Sequence, residues 1–81
     1  MHIVYVLRSK KDGRLYVGST KNPERRIAEH NAGMVASTQH RRPLILIYSE
    51  SFDTKKAAVN RERYFKGGGK AHALLKNLIG D

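Results

Sequence analysis

Asp12-Gly13, set between two short apolar stretches, constrains this chain more than any other feature. An Asp-Gly pair is the strongest short-range hairpin signal, because a tight reversal needs positive φ, which glycine adopts freely. Residues 2–8, rich in Ile, Val and Tyr, read as the first strand, and 14–19 (Arg-Leu-Tyr-Val-Gly-Ser) as its return. With a four-residue turn, Lys10 to Gly13, position 9 faces 14 and position 7 faces 16. Tyr5 and Tyr16 then share one face of the hairpin as a diagonal pair, about 7–8 Å apart between backbone positions. Two such tyrosines serve equally as amphipathic core aromatics. Gly18, two residues past Tyr16, falls on the same face; it marks either a bulge or a close approach beside the ring.

The rest of the chain adds helices and one more strand. Asn22 is suited to cap a helix with Pro23 at its first position and Glu24 in its first turn, and Gly33 is the natural stop, so a helix is expected over 23–32. Residues 34–43 read as a loop closed by Pro43. Leu44-Ile45-Leu46-Ile47-Tyr48 is a continuous apolar run, the pattern of a strand buried on both faces. Asp53 or Thr54 caps a second helix that ends near Lys66, and Gly67-Gly68-Gly69 breaks it. Ala71, Leu74, Leu75 and Leu78 recur at the spacing of a last amphipathic helix, which Gly80 can end. The order strand-strand-helix-strand-helix-helix predicts an α+β fold: a three-stranded antiparallel sheet covered by helices.

At 81 residues the chain is one small domain. Its 40% hydrophobic content supports only a modest core. No apolar run approaches the length of a membrane span, and the N-terminal apolar run is too short, and lacks the basic lead, for a secretory signal. The absence of cysteine excludes disulfides, thiolate zinc sites and cysteine nucleophiles, and points to the cytoplasm. Lys and Arg number 16 against 7 Asp and Glu, a formal charge of +9. A field of that sign concentrates polyanions, nucleic acid first among them. The basic residues are spread along the chain and form no polybasic tail, which argues against a membrane surface.

Three further positions could carry chemistry. Arg26 and His30 lie four apart on the first helix, hence on one side of it; together they are either a solvated basic face or a phosphate fork beside a proton relay. Glu62 falls with Ala58 and Phe65 on the inward stripe of the second helix. A carboxylate there needs an Arg, a Lys or a metal ion. Gly67-Gly68-Gly69-Lys70 lacks the Ser or Thr and the preceding strand of a phosphate-binding loop and reads as a helix break. The four histidines show no paired metal-ligand spacing, so no zinc site is expected.

In this order the residues resemble the GIY-YIG endonuclease domain over essentially the whole chain. Ile3-Val4-Tyr5 is similar to its first motif, Tyr16-Val17-Gly18 to its second, Glu24 to Asn31 to the following helix, and Glu62 to its metal-binding glutamate. The resemblance is strongest to the small stand-alone bacterial group, with Arg41-Arg42-Pro43 before the third strand in common. Ile3 stands in place of the glycine that names the first motif, no Asn aligns securely with the one that several members carry after the glutamate, and the appended DNA-binding domain of the homing and repair nucleases is absent. The resemblance implies a metal-dependent endonuclease hydrolysing phosphodiester bonds, in DNA more than RNA. Its site would comprise Tyr5, Tyr16, Arg26, His30 and Glu62, with Glu62 holding one Mg²⁺ or Mn²⁺, Arg26 neutralising the phosphorane, Tyr16 as general base and His30 as the alternative base. The other reading is a nucleic-acid-binding module that keeps the fold but cuts poorly. Monomer and dimer are both open.

Overall fold

A computed structural model of the chain describes residues 1–80. Strands β1 (His2–Ser9), β2 (Leu15–Thr20) and β3 (Leu44–Phe52) form one antiparallel sheet in the order β2-β1-β3, and helices α1 (Pro23–Asn31), α2 (Lys55–Lys66) and α3 (Gly69–Ile79) cover it. The expected fold class and element order are those observed.

The hairpin closes in the expected register, with Leu7 opposite Tyr16 and Tyr5 opposite Gly18. Buried Ser9 organises the turn: its Oγ accepts from the backbone N–H groups of Lys11 (3.1 Å) and Asp12 (3.2 Å) and donates to the Arg41 carbonyl (2.6 Å). Gly13 takes φ 73°, the conformation for which the Asp-Gly pair was read.

Because β1 is central, both of its faces are buried. Val4 and Val6, with Val17 of β2, meet Ala58 and Phe65 of α2 and Leu75 of α3. Tyr5 and Leu7 face the other way, toward Leu44, Tyr16 and Ile27. α1 starts where Asn22 Oδ1 accepts the Arg25 N–H at 3.1 Å. At its other end Asn31 pins the entry to β3, donating to the Leu44 carbonyl (2.9 Å) and accepting from its N–H (2.8 Å). Thr54, not Asp53, caps α2 through the Ala57 N–H.

Two expectations are corrected. The apolar run 44–48 is not a strand buried on both faces. β3 runs on to Phe52 and lies at the sheet edge, with Ile45 42% and Leu46 45% exposed. Its pairing with β1 shifts at Val6/Leu7, where Val6 faces Tyr48 and Leu7 faces Leu46, so Ile47 is an extra residue. On α3 the inward row is Ala71, Leu75 and Ile79, while Leu74 and Leu78 stay exposed: the helix meets the sheet along its i, i+4 row.

Candidate active site on the free edge of β2

On the α1 face of the sheet, three rings gather over the hairpin. The Tyr5 hydroxyl lies 2.9 Å from His30 Nε2. The Tyr16 ring stands edge-on to His30 at 4.9 Å between centroids and is tilted against Tyr5 at 6.5 Å. Gly18 is directly opposite Tyr5, and a methyl group there would overlap the phenol. The hairpin register is continuous through Gly18, so the glycine marks a close approach, not a bulge.

His30 is fully buried and uses both nitrogens, Nδ1 meeting Thr38 Oγ1 at 2.7 Å. Thr38 donates its own proton to the Val35 carbonyl, so its oxygen accepts from Nδ1–H. Nε2 is therefore the acceptor, and the Tyr5 hydroxyl donates to it. The guanidinium of Arg26, one turn before His30, lies beside the same phenol and favours its ionised form. The result is a directed chain from Tyr5 through His30 to Thr38, with Arg26 beside its start. Burial pushes the His30 imidazole below its ordinary value, and the Arg26 charge adds to this. Burial pushes the Tyr5 phenol up, partly offset by the Arg26 guanidinium beside it. Both groups are thus neutral near pH 7. Glu29 completes the α1 side, accepting from Arg26 at 3.1 Å with Arg25 at 3.5 Å.

Tyr16 differs from Tyr5. It is half-buried, and among the described residues nothing hydrogen-bonds its hydroxyl. The Lys66 ammonium lies 5.4 Å from its ring centroid.

Glu62 stands on the other face of the same edge strand. Its Oε1 accepts from Ser19 Oγ at 2.6 Å and its Oε2 from Lys66 Nζ at 2.7 Å. Ser19 is opposite Val4 and points to the α2 face, whereas Tyr16 and Gly18 point to the α1 face. Lys66 therefore reaches around the free edge of β2 and joins the carboxylate to the tyrosine. Glu50, the other carboxylate beside α2, is gripped by the Arg61 guanidinium at 2.9 and 3.2 Å and by the Tyr48 hydroxyl at 2.6 Å. Burial alone would raise the Glu50 carboxyl; the Arg61 fork and the Tyr48 hydroxyl together more than offset it and hold it low. Of the two, Glu62 is the one held by a single flexible ammonium and a hydroxyl.

Shallow clefts flank this edge. One of about 280 Å³ holds Lys21, Arg25 and Arg26; another of about 440 Å³ holds His2, Lys21 and Lys55 beside Ser19. Sequence reasoning missed Thr38, Glu29, Ser19 and Lys66. Glu29 and Lys66 carried a signal, standing three residues from Arg26 and four from Glu62 on their helices. No helix of the described residues is long and apolar enough to cross a membrane.

The sequence matches the GIY-YIG catalytic domain over residues 1–75. A UPF0213 protein of Natronomonas pharaonis is 49% identical over 81 residues, covering 99% of this chain and 92% of the relative. One of Staphylococcus haemolyticus is 48% identical over 66 residues, covering 80% of this chain and 79% of the relative. The similar group thus includes archaeal as well as bacterial proteins. The solution NMR structure of a UPF0213 protein from Bacillus halodurans superposes with a TM-score of 0.60 at 33% identity, over 95% of this chain and 83% of that one. With the motif tyrosines, the helix arginine and the glutamate arranged around one strand edge, and with this match across the chain, the protein belongs to the GIY-YIG family and has its nuclease fold.

Proposed function

We propose that the protein is a divalent-metal-dependent endonuclease that hydrolyses phosphodiester bonds in nucleic acid, DNA before RNA, in the cytoplasm. One observation carries this reading: the unpartnered Tyr16 hydroxyl lies on a strand edge between the Arg26 cluster and the Glu62–Lys66 pair. In that order a phosphate would meet a fork, a base and a carboxylate.

The Glu62 carboxylate and Ser19 hydroxyl are hard oxygen donors and suit Mg²⁺ or Mn²⁺, which take few carboxylates and fill the shell with water and phosphate oxygens. Lys66 now holds one carboxylate oxygen and must swing away first. When bound, such an ion polarises a phosphate oxygen and stabilises the leaving oxyanion.

The protein's own residues supply the rest. Arg26 has a side chain 39% exposed and offers its remaining N–H groups to a non-bridging oxygen, neutralising charge as the phosphorane forms. Tyr16, as general base, takes the proton of the attacking water; the new bond joins water oxygen to phosphorus while the phosphodiester's P–O bond to the leaving group breaks. Tyr5 and His30 are buried, with their hydrogen bonds made to each other and to Thr38. Their chain walls the site beside the Arg26 guanidinium, which makes His30 a positioning residue and Tyr16 the base.

Glu62→Ala tests the proposal. Cleavage of plasmid, branched DNA or structured RNA in Mg²⁺ or Mn²⁺ should vanish while binding in chelator stays within a few-fold. Undiminished cleavage would remove Glu62 from the mechanism. The Lys66–Glu62 contact favours a second reading, a binding module whose carboxylate is permanently satisfied. A wild-type protein that binds all three substrates and cuts none with either metal would establish it.

A further inference from the structure

Glu62 is held differently from the other paired carboxylates. The pairs of Arg25 and Arg26 with Glu29, of Arg41 with Asp12 and of Arg61 with Glu50 all use a guanidinium. Glu62 is held by Lys66, an ammonium point charge on a flexible four-carbon stem. Lys66 is the last residue of α2 and is exposed; an i, i+4 pair on a helix surface is weak and opens readily. The same ammonium lies 5.4 Å from the Tyr16 ring centroid, across the β2 edge from Ser19 and Glu62. It therefore stands between the carboxylate and the tyrosine, where a phosphate would arrive.

A divalent ion and this ammonium compete for one oxygen. Lys66 Nζ is 2.7 Å from Glu62 Oε2. An Mg²⁺ on the same oxygen, at about 2.1 Å, would lie within about 5 Å of Nζ, and like charges that close repel. Oε1 already accepts from Ser19. With one carboxylate to offer and an ammonium on it, the free protein holds such an ion poorly. A phosphodiester changes both terms. Its non-bridging oxygens complete the ion's shell, and its charge gives the ammonium a new partner.

We propose that Lys66 is a transfer cation: it occupies Glu62 in the free protein and moves to the phosphodiester backbone when metal ion and nucleic acid bind, so that each tightens the other. The assignment deepens the nuclease reading above and rests on it. Lys66 is thereby a residue that contacts the substrate, and the β2 edge takes up its metal ion chiefly when a phosphate is present. The coupling is reciprocal, as any linkage between two bound ligands must be.

The test starts with Mn²⁺ alone, its binding read from paramagnetic broadening of the Ser19 amide NMR signal. Lys66→Met keeps the stem and removes the charge. Arg63→Met removes an exposed cation from the same last turn of α2 and leaves the same net charge. Lys66→Met should bind Mn²⁺ about tenfold more tightly than the wild type, Arg63→Met within about threefold of it, and Glu62→Gln far more weakly. A fluorescent DNA hairpin supplies the second measurement, at equal ionic strength with Mn²⁺ or chelator. It is made on a Tyr16→Phe background, which keeps the ring beside Lys66 and removes the proposed base. Glu62→Gln reports what the ion does to the DNA itself. Relative to it, Mn²⁺ should tighten hairpin binding about tenfold with Lys66 present and about threefold or less in Lys66→Met. Equal Mn²⁺ affinity in the wild type and Lys66→Met, or an equal gain in Arg63→Met, overturns the transfer and leaves the nuclease reading standing. So does tighter Mn²⁺ binding by Lys66→Met with unchanged coupling to the hairpin, which makes Lys66 a competitor only. A Ser19 signal that Mn²⁺ broadens in no variant overturns both. The expected exchange in a protein that cuts nothing supports the transfer and strikes the catalytic reading alone.

Discussion

On the α2–α3 face of the sheet the buried side chains are apolar throughout: Val4, Val6, Val17, Ala58, Phe65 and Leu75. On the α1 face Tyr5 and Leu7 share the interior with Ser9, His30 and Thr38, the three buried polar residues among those described. A buried polar group costs free energy unless it is hydrogen-bonded, and each of these is: Ser9 to the turn and Arg41, His30 to Tyr5 and Thr38, Thr38 to Val35. Burial without direction secures the fold on one side. On the other, direction is gained at some cost in stability, because hydrogen bonds fix a phenol, an imidazole and a guanidinium more narrowly than packing can. Alternation along β1 assigns one role to its even positions and the other to its odd ones.

The largest effect should come from the dry face. Phe65 is 1% exposed at its centre, and Phe65→Ala should cost about 3–5 kcal/mol in transfer and cavity terms. A chain of 81 residues has about 4–12 kcal/mol in all. Denaturant titration should show most or all of the stability gone, and any activity with it. A loss below about 1 kcal/mol would show that stability does not reside there.

The polar face should behave in the opposite way. Tyr16→Phe keeps the ring that packs against His30 at 4.9 Å and removes only the hydroxyl, which no protein group among those described contacts. The melting temperature should move by a few degrees at most, while single-turnover cleavage falls by about 10²–10⁴-fold, the usual worth of general acid–base catalysis. Arg26→Lys should be damaging with equally little effect on melting, because an ammonium lacks the planar fork. If Tyr16→Phe cuts at near-normal rate and His30→Ala loses the pH-dependent step, the base is His30.

The difference between the faces also explains what could be read in advance. The hairpin register follows from local chemistry, Asp12-Gly13 and strict alternation, so Tyr5, Tyr16 and Gly18 were placed on one face from the sequence. Arg26 and His30 followed from helical spacing. The edge position of β3 was not legible: Val4 to Leu7 and Leu44 to Ile47 are both continuous apolar runs, and strand order is a property of the assembled sheet. Thr38 was equally hidden. It lies eight residues past His30, and the path of an irregular loop decides whether they meet. Lys66 was legible as an i, i+4 partner of Glu62, but its reach to Tyr16 depends on α2 lying across the edge of β2.

The smallest effect separates the faces by pH. None of the buried side chains of the α2–α3 face titrates; its ionisable groups, among them His2, Glu50 and Glu62, lie at its rim. Buried His30 does titrate. Its ordinary value is 6.5, and burial first, then the Arg26 charge, hold it below that in the folded state, with Glu29 opposing weakly. Between the folded and unfolded values the unfolded chain binds the extra proton, so stability rises with pH across that interval. The contribution is complete above pH 6.5 and is lost as pH falls through the lower, folded value. Asp12 and Glu50 are also held low, but their ordinary values of 3.8 and 4.5 put their effects at more acid pH. His2 is shifted the same way as His30, so the measurement is a difference: urea stability of the wild type and of His30→Gln at pH 7.5 and 5. The variant should be less stable at pH 7.5, because the chain from Tyr5 to Thr38 is broken, and should lose less than the wild type on acidification. An NMR titration places the same event on the ring itself. Protonation of His30 at or above 6.5 in the folded protein would mean that the imidazole carries a charge beside Arg26, and that the directed chain from Tyr5 to Thr38 does not hold.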